Sequence, residues 1–166
     1  MSRYFVNEVF YTLQGEGVRA GTPAVFVRFG KCNMTCRLET HGFDCDTEFA
    51  SGEMMTAAEI EQKVLAASAA ANWVVLTGGE PGLQLDAELI DTLHRGYKLA
   101  IETNGSIALP PGLDWITVSP KTAEHAIRQL TADEVKYVRA VGQQIPRPSV
   151  VAEHRLISPA SGPEGI

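Results

Sequence analysis

Residues 73–103 read WVVLTGGEPGLQLDAELIDTLHRGYKLAIET and alternate between strand and helix patterns. Trp73–Thr77 is a short, continuously apolar run, which is typical of a strand buried on both faces. Asp86–Arg95 places Leu and Ile on one face of a helix that ends before Gly96. Leu99–Thr103 is a second strand of the buried type. A strand, a helix and a second strand in this order predict a parallel pair joined by a crossover helix.

The same alternation continues on both sides of this unit. Further strands, either rich in aromatic and β-branched residues or short and apolar, are expected at Tyr4–Thr12, Pro23–Phe29, Trp115–Ser119, Val135–Ala140 and Arg155–Ser158. Helices are expected at Thr56–Ala71 and Ala123–Leu130. Because no linker or repeat interrupts the pattern, we interpret residues 1–166 as one α/β domain. Its parallel sheet is expected to be open or curled into a partial barrel.

The composition supports one globular domain and argues against several classes of partner. Hydrophobic residues make up 45% of the 166 residues, which suffices for a core, and the net charge is −6 without a basic run. A nucleic-acid partner is therefore not expected. No apolar stretch reaches the roughly 18 residues of a membrane span, and the N-terminus lacks the apolar core of a signal peptide. We therefore expect a cytoplasmic protein without a membrane partner.

All three cysteines lie within fourteen residues, at Cys32, Cys36 and Cys45. An odd, clustered set in a chain without an export signal favours reduced thiols that bind a metal or cluster. Three thiolates can hold three irons of a 4Fe–4S cluster and leave the fourth iron open for a cofactor or substrate. A zinc site of three cysteines and His41 is the alternative. Taken alone, the cysteine loop leaves both possibilities open.

Polar motifs follow or end five of the predicted strands. They are Cys32, Thr77-Gly78-Gly79-Glu80-Pro81, Glu102-Thr103-Asn104-Gly105, Ser119-Pro120-Lys121 and Ser158-Pro159. Gly, Pro, Asn and Ser are common turn residues, so any one motif is explained by a turn alone. In a parallel sheet, however, the carboxyl ends of the strands meet along one edge, where ligands bind. The repeated placement at strand ends therefore predicts one shared site.

Taken in order, these motifs resemble those of radical S-adenosylmethionine enzymes, and within that superfamily those of the 7-carboxy-7-deazaguanine synthase family. That family belongs to queuosine biosynthesis, a tRNA modification pathway. The matching segments are Asn7–Phe10, Gln14–Gly17, Phe26–Arg28, Cys32-Asn33, Cys45-Asp46-Thr47, Thr77–Pro81, Glu102–Gly105 and Val118–Lys121. The resemblance covers most of residues 4–139. It implies a single domain over residues 1–166 with the partial parallel β/α barrel of the radical S-adenosylmethionine type.

Two features depart from the family's pattern. Eight residues separate Cys36 from Cys45, where the superfamily usually has two, so an insertion in the cluster loop is expected at residues 33–46. After Ser158–Ser161 the family continues with a helix and a strand that help to close the substrate pocket, whereas this chain ends at Ile166. Either a truncated C-terminus or an unusually short member of the family is therefore expected.

The resemblance also implies which residues hold the cofactors. Cys32, Cys36 and Cys45 would hold the 4Fe–4S cluster, whose open iron binds S-adenosylmethionine. Contacts with S-adenosylmethionine are implied for Gly78, Gly79, Glu102, Asn104, Ser119, Pro120, Lys121, Ser158 and Ser161. Thr47 would ligate Mg²⁺, an ion that prefers hard oxygen ligands. An electron donor such as flavodoxin would supply the electron that cleaves S-adenosylmethionine.

The implied substrate is 6-carboxy-5,6,7,8-tetrahydropterin, a flat heterocycle with one carboxylate. The residues implied for binding it are Leu13, Gln14, Gly15, Glu16, Arg28 and Thr77. Gln14 and Glu16 offer hydrogen-bonding edges for the ring, and Arg28 can bind the carboxylate bidentately. The implied lyase reaction contracts the ring, releases ammonia and forms 7-carboxy-7-deazaguanine. The family also implies a homodimer.

Two other functions remain open at the level of sequence. One is a radical S-adenosylmethionine activating enzyme, which would abstract hydrogen from a glycine of a partner protein. Gln14–Gly17 and Arg28 favour a small carboxylated heterocycle instead. The other is a zinc-stabilised binding module, for which the strand-end motifs would be coincidences.

Overall fold

The computed structural model describes residues 1–41, 45 and 50–160. Within these residues the strands are β1 (Tyr4–Leu13), β2 (Pro23–Phe29), β3 (Glu53–Met55), β4 (Trp73–Gly78), β5 (Lys98–Thr103), β6 (Trp115–Val118), β7 (Thr131–Arg139) and β8 (Val151–Pro159). The helices are α1 (Leu38–His41), α2 (Ala57–Ala67) and α3 (Ala87–His94). Short 3₁₀ turns lie at Pro81–Leu83 and Glu124–Ala126.

The strands of the described residues form one eight-stranded sheet in the order β3-β1-β2-β4-β5-β6-β7-β8. From β2 to β8 across the sheet, every neighbouring pair is parallel. β1 runs antiparallel to β2, and β3 runs antiparallel to β1. The sheet stays open, with β3 and β8 at its edges. The predicted α/β class with an open, largely parallel sheet is therefore confirmed.

The two faces of the sheet have different neighbours. One face carries Val27, Leu76 and Ile101 and forms the main core against α2 and α3, which contribute buried side chains such as Ile60 and Leu89. Because side chains alternate along a strand, the residues between these core positions point to the opposite face. We call that opposite face the pocket face. Its apolar members are Phe10, Ala24, Phe26, Trp73, Val75, Ala100 and Trp115.

The helix predicted at Thr56–Ala71 is confirmed as α2, with a shorter C-terminal end. A capping box starts it, since Glu59 N donates to Thr56 Oγ1 (3.3 Å) and Thr56 N donates to Glu59 Oε2 (2.7 Å). The helix ends where Ser68 turns to an extended conformation. No helix in the described part of the chain is long and apolar enough to cross a membrane.

The prediction of a helix at Ala123–Leu130 is wrong, because the segment contains only a 3₁₀ turn at Glu124–Ala126. Ile127 is extended and almost fully buried, where it packs in the small core of β6 and β7. Arg128 N donates a hydrogen bond to Gly105 O (2.8 Å), so the segment is held by the loop after β5. This contact between distant segments replaces the local bonds of a helix.

The strands β7 and β8 are longer than the predicted Val135–Ala140 and Arg155–Ser158. They pair in parallel from Thr131 opposite Val151 to Arg139 opposite Pro159, and this ladder extends both strands towards their N-termini. The short edge strand β3 had no counterpart in the sequence prediction. It is formed by pairing with the start of β1.

Asp86 is the N-cap of α3 and provides a test of how the crossover helix is anchored. Its Oδ1 accepts hydrogen bonds from Leu89 N (3.0 Å) and from Tyr4 Oη (2.6 Å). Burial raises the pKa of Asp86, but hydrogen bonds from Ser2, Tyr4 and Leu89 outweigh it and hold the pKa below its ordinary value. The ionised carboxylate therefore stabilises the fold.

We predict that Asp86→Ala lowers the free energy of unfolding by about 1–2 kcal/mol at pH 7, the usual cost of losing an N-cap. Because the folded state has the lower pKa, the stabilisation is present above the unfolded pKa of about 3.9 and is lost as the pH falls through the folded pKa. Urea unfolding at pH 7 and at stepwise lower pH measures both effects. Asp91→Ala, an exposed site on the same helix, is the control. Equal losses in the two variants would contradict the prediction.

Candidate active site

The polar strand-end motifs lie at one edge of the sheet, as their placement predicted. Cys32 follows β2, Gly79 follows β4, Asn104 follows β5 and Ser119 follows β6, while Ser158 lies near the end of β8. These strands are parallel, so their carboxyl ends point the same way. We call this the cysteine edge.

Glu80 connects two loops of the cysteine edge. Its side chain is fully buried, and Oε1 accepts hydrogen bonds from Thr103 Oγ1 (2.7 Å) and Gly82 N (2.9 Å). Oε2 accepts a hydrogen bond from Asn104 N (2.7 Å). Burial raises the pKa of this carboxyl above its ordinary value, while the three hydrogen bonds act in the opposite direction. In the sequence this residue stood out only as part of the strand-end motif Thr77–Pro81.

The first cysteine is held by the loop after β4. Gly79 N donates to Phe29 O (2.9 Å), and Glu80 N donates to Lys31 O (3.0 Å), immediately before Cys32. A Cβ on Gly79 would overlap the carbonyl of Lys31, so a larger residue does not fit without a shift of the loop. Lys31 itself has a φ of 67°, a left-handed conformation that is uncommon for a residue with a side chain. The Gly-Gly-Glu motif therefore serves the backbone packing of the cysteine loop.

A chain of amides joins the loop after β5 to the residue next to Cys32. Asn104 Nδ2 donates to Asn33 Oδ1 (3.1 Å), and Asn33 Nδ2 donates to Ser106 Oγ (2.9 Å). After β6, Ser119 N donates to Thr103 O (2.8 Å). The predicted cofactor residues of these loops are thus brought together with the cysteine loop.

The three cysteines form no disulfide; Cys32 and Cys36 are half-buried and Cys45 is exposed. Burial raises the pKa of the Cys32 thiol, and the charges of Glu80 and Cys45 add to this effect. The described residues include no group of three Cys, His, Asp or Glu side chains arranged to hold a metal ion. Three thiols on one loop nevertheless supply the donor set that an iron–sulfur cluster with one open iron requires. Thr47 and Ser161, predicted for Mg²⁺ and S-adenosylmethionine, lie outside the described residues.

His41, the fourth ligand of the alternative zinc site, takes part in local hydrogen bonds. Its Nδ1 lies 2.7 Å from Thr40 Oγ1 and accepts a hydrogen bond from Arg37 N (3.3 Å). The ring thus caps its own short helix.

The pocket face carries a row of polar side chains across six parallel strands. In strand order they are Arg28, Thr77, Glu102, Thr117, Glu134 and His154. Both carboxylate oxygens of Glu102 are hydrogen-bonded. Oε1 accepts a hydrogen bond from Gln14 Nε2 (2.9 Å), and Oε2 accepts one from Thr77 Oγ1 (2.8 Å). Glu102, predicted for the cofactor, is therefore grouped with Gln14 and Thr77, which are predicted for the substrate. The neighbouring Thr103 points the other way, to Glu80.

The loop after β1 folds back over the pocket face. Gln14 is buried, and its backbone exchanges hydrogen bonds with the end of the loop, from Gln14 N to Thr22 O (2.8 Å) and from Gly21 N to Gln14 O (2.7 Å). Glu16 forms an ion pair with Lys136 of β7. Leu13 is the last residue of β1, directly before Gln14, and it is 56% exposed.

Arg28 lies on the pocket face opposite Thr77 and Glu8. Its Nε lies 2.8 Å from Glu8 Oε1 but is not aligned for a hydrogen bond, so the contact is an ion pair only. The guanidinium carbon also lies 5.5 Å from the centroid of the Phe10 ring. Arg28 thus lies next to Thr77 in the polar row of the pocket face.

Four residues of the pocket region were not found from the sequence: Arg19, Thr117, Glu134 and Lys136. Arg19, Thr117 and Glu134 line the same pocket as Gln14, Glu16 and Glu102. Burial lowers the pKa of Arg19, whose guanidinium lies 3.6 Å from the centroid of the Trp73 ring. The sequence signal available for such residues was a polar side chain at every second position of an otherwise buried strand. Glu134 and Lys136 in β7 are an example.

The fold and the cysteine edge agree with the expectation of an iron–sulfur protein of the radical S-adenosylmethionine class. Residues 13–140 match the family model described as a 4Fe–4S single cluster domain. This match supports an iron–sulfur cluster over the zinc alternative.

The particular family is defined by relatives and by a solved structure. The chain is 45% identical over 159 residues to 7-carboxy-7-deazaguanine synthase of Bacteroides thetaiotaomicron, covering 94% of this chain and 81% of the relative. It is 41% identical over 177 residues to the synthase of Bradyrhizobium diazoefficiens, covering 97% and 84%. The crystal structure of QueE from Escherichia coli superposes with a TM-score of 0.71 at 25% identity, covering 96% of this chain and 85% of that one. The chain belongs to the 7-carboxy-7-deazaguanine synthase family.

The packing of Gly79 gives a testable prediction about the cysteine loop. Overpacking a close-packed site costs about 1–3 kcal/mol. Because the added Cβ of Gly79→Ala would displace Lys31, next to Cys32, we expect less iron and sulfide to be bound after anaerobic reconstitution, and a lower unfolding temperature. Gly96→Ala is the matched control, since a Cβ there meets no other atom within 4 Å. Wild-type iron content in Gly79→Ala would show that the loop does not depend on this packing.

Proposed function

We propose that this chain converts 6-carboxy-5,6,7,8-tetrahydropterin to 7-carboxy-7-deazaguanine with loss of ammonia. The observation that carries the proposal is the hydrogen-bonded group of Gln14, Thr77 and Glu102 on the pocket face. This group lies beside the cysteine edge in a chain of the 7-carboxy-7-deazaguanine synthase family. The site therefore combines polar ring recognition with the cluster loop.

The pocket suits a flat heterocycle with donor and acceptor edges. Gln14 presents an amide that both donates and accepts, and Glu102 and Glu16 are acceptors. Gln14 and Thr77 donate hydrogen bonds to the Glu102 carboxylate, which keeps these polar groups paired inside the protein. Substrate binding would replace these hydrogen bonds by hydrogen bonds to the ring. The net binding free energy would therefore depend on how well the donors and acceptors of the ring align with these side chains.

Arg28 is the proposed partner of the substrate carboxylate. It is adjacent to Thr77 in the polar row, and a guanidinium binds a carboxylate through two parallel hydrogen bonds. Glu8 holds the guanidinium by an ion pair and would position it without a competing aligned hydrogen bond at Nε. Leu13 and Gly15 are retained as proposed substrate neighbours on the resemblance alone.

Cys32, Cys36 and Cys45 would hold the cluster, which together with S-adenosylmethionine supplies the radical that abstracts hydrogen when both are bound. The proposed S-adenosylmethionine contacts on the cysteine edge are Gly78, Gly79, Asn104, Ser119, Pro120, Lys121 and Ser158, with Glu102 and the undescribed Ser161. The loops of this edge are tied to one another through Glu80 and Asn33, so their polar groups are held in place before any ligand binds. Such preorganisation reduces the ordering that binding requires.

Several further features of the function stay predictions of the resemblance. They are Mg²⁺ binding at Thr47, an electron donor such as flavodoxin, a homodimer and a cytoplasmic location. An activating enzyme for a partner protein is the second enzyme considered, and the pairing of Gln14 with Glu102 on the pocket face favours a small molecule over it.

The decisive experiment is anaerobic reconstitution followed by EPR and a turnover assay. We expect about four irons and matching sulfide per chain, and an EPR signal of the reduced cluster that changes when S-adenosylmethionine is added. Incubation with the pterin should then yield 7-carboxy-7-deazaguanine, detected by liquid chromatography and mass spectrometry. Zinc without sulfide, or a cluster that is indifferent to S-adenosylmethionine, would overturn the proposal.

A substitution at Arg28 tests the proposed carboxylate contact. Hydrogen bonds to charged groups contribute about 1.5–3 kcal/mol, so Arg28→Gln should raise KM for the pterin by roughly 10- to 100-fold. Arg28→Lys keeps the charge but cannot form two parallel hydrogen bonds to a carboxylate. Its KM should lie between those of the wild type and Arg28→Gln. Arg95→Gln removes an exposed arginine paired with Glu61 on the opposite face and is the control. An unchanged KM in Arg28→Gln would refute the assignment.

A further inference from the structure

Two buried charged residues on β7 contact the loop that carries Gln14 and Glu16. Glu134 and Lys136 are 2% and 6% exposed, and they lie two residues apart on the pocket face. They follow the proposed binding loop by more than a hundred residues, so only the fold brings the two segments together. Buried charges are retained only where partners satisfy them, because removing an ion from water is costly.

Glu134 contacts the backbone of the loop. Its Oε2 accepts a hydrogen bond from Val18 N (2.7 Å). The carboxylate also fills the space beside Gly17, where any Cβ would overlap it, and Gly17 has a φ of +73°. A side chain at position 17 would therefore be strained twice, by its backbone conformation and by the carboxylate. Gly17 and Glu134 fit together as a pair.

Lys136 contacts one side chain of the same loop, that of Glu16. Its ammonium forms an ion pair with Glu16, whose side chain is 57% exposed whereas that of Lys136 is 8% exposed. The lysine therefore depends on Glu16 for a partner more than Glu16 depends on the lysine. On its other side the loop is held by Arg19, which stacks on Trp73.

We infer that Glu134 and Lys136 are positioning residues that hold residues 14–18 on the pocket face and so set where Gln14 and Glu16 meet the substrate. The substrate part of this inference rests on the proposed function. Glu134 acts through Val18 N and Gly17, and Lys136 acts through Glu16. Without the two contacts, the loop keeps its internal hydrogen bonds but loses its attachment to β7.

Hydrogen–deuterium exchange of the full, anaerobically reconstituted protein tests the attachment without turnover. In Lys136→Met and in Glu134→Gln we expect the peptide covering residues 14–22 to exchange about ten-fold faster, because the opening free energy falls with the lost charged contact. The buried β4 peptide should keep its wild-type exchange. Lys63→Met, which removes an exposed ion pair with Glu53, should change neither peptide, and Lys136→Arg should restore most of the protection.

The same variants are then assayed with the pterin. A positioning role predicts a KM at least about ten-fold higher with a smaller change in kcat, and partial recovery in Lys136→Arg. Unchanged exchange of residues 14–22 in both variants would overturn the inference, as would faster exchange with an unchanged KM. If Lys136→Met does not fold, the nearly isosteric Glu134→Gln decides the question. A wild-type protein without pterin turnover would refute the proposed function, while the exchange data would still decide whether β7 holds the loop.

Discussion

The buried carboxylate of Glu80 connects the loops on which the candidate active site depends. It accepts hydrogen bonds from Thr103, Asn104 and Gly82, and the amide next to it, Glu80 N, donates to Lys31 O. The loops after β2, β4 and β5 are thereby held in one arrangement. An unpaired buried polar group costs about 1–3 kcal/mol. Removing the Glu80 carboxylate would leave its hydrogen-bond donors in several loops unpaired. These hydrogen bonds connect the cysteine loop, the Gly-Gly turn and Asn104 to one another.

Successive side chains of β5 point to opposite faces of the sheet, and they divide the site into two connected parts. Thr103 points to Glu80 and supports the cysteine edge, whereas Glu102 points to the pocket face and contacts Gln14 and Thr77. Adjacent residues of one strand thus contact the cysteine edge and the polar row of the pocket face. A single strand therefore sets the distance between these two parts of the candidate site.

Much of the site was predictable because its chemistry is local in sequence. The cysteine spacing, the Gly-Gly-Glu-Pro turn and the strand-end positions were all visible without coordinates. Glu134 and Lys136 were not found, since a charged residue within a strand shows which face it occupies but not which distant loop meets it. The failed helix at Ala123–Leu130 has the same cause, because its backbone bonds to Gly105 rather than to itself.

The amino-acid sequence by itself determined the α/β class, the parallel sheet and the family, because hydrophobic periodicity and ordered motifs are properties of contiguous segments. The tertiary structure alone decided that Glu102 contacts Gln14 and Thr77, that Gly79 packs against Lys31, and that β7 contacts the loop after β1. These outcomes depend on strand register and on contacts between segments far apart in the chain. The alternating pattern of a strand shows which residues share a face. It does not show which distant segment meets that face, and only the folded chain decides this.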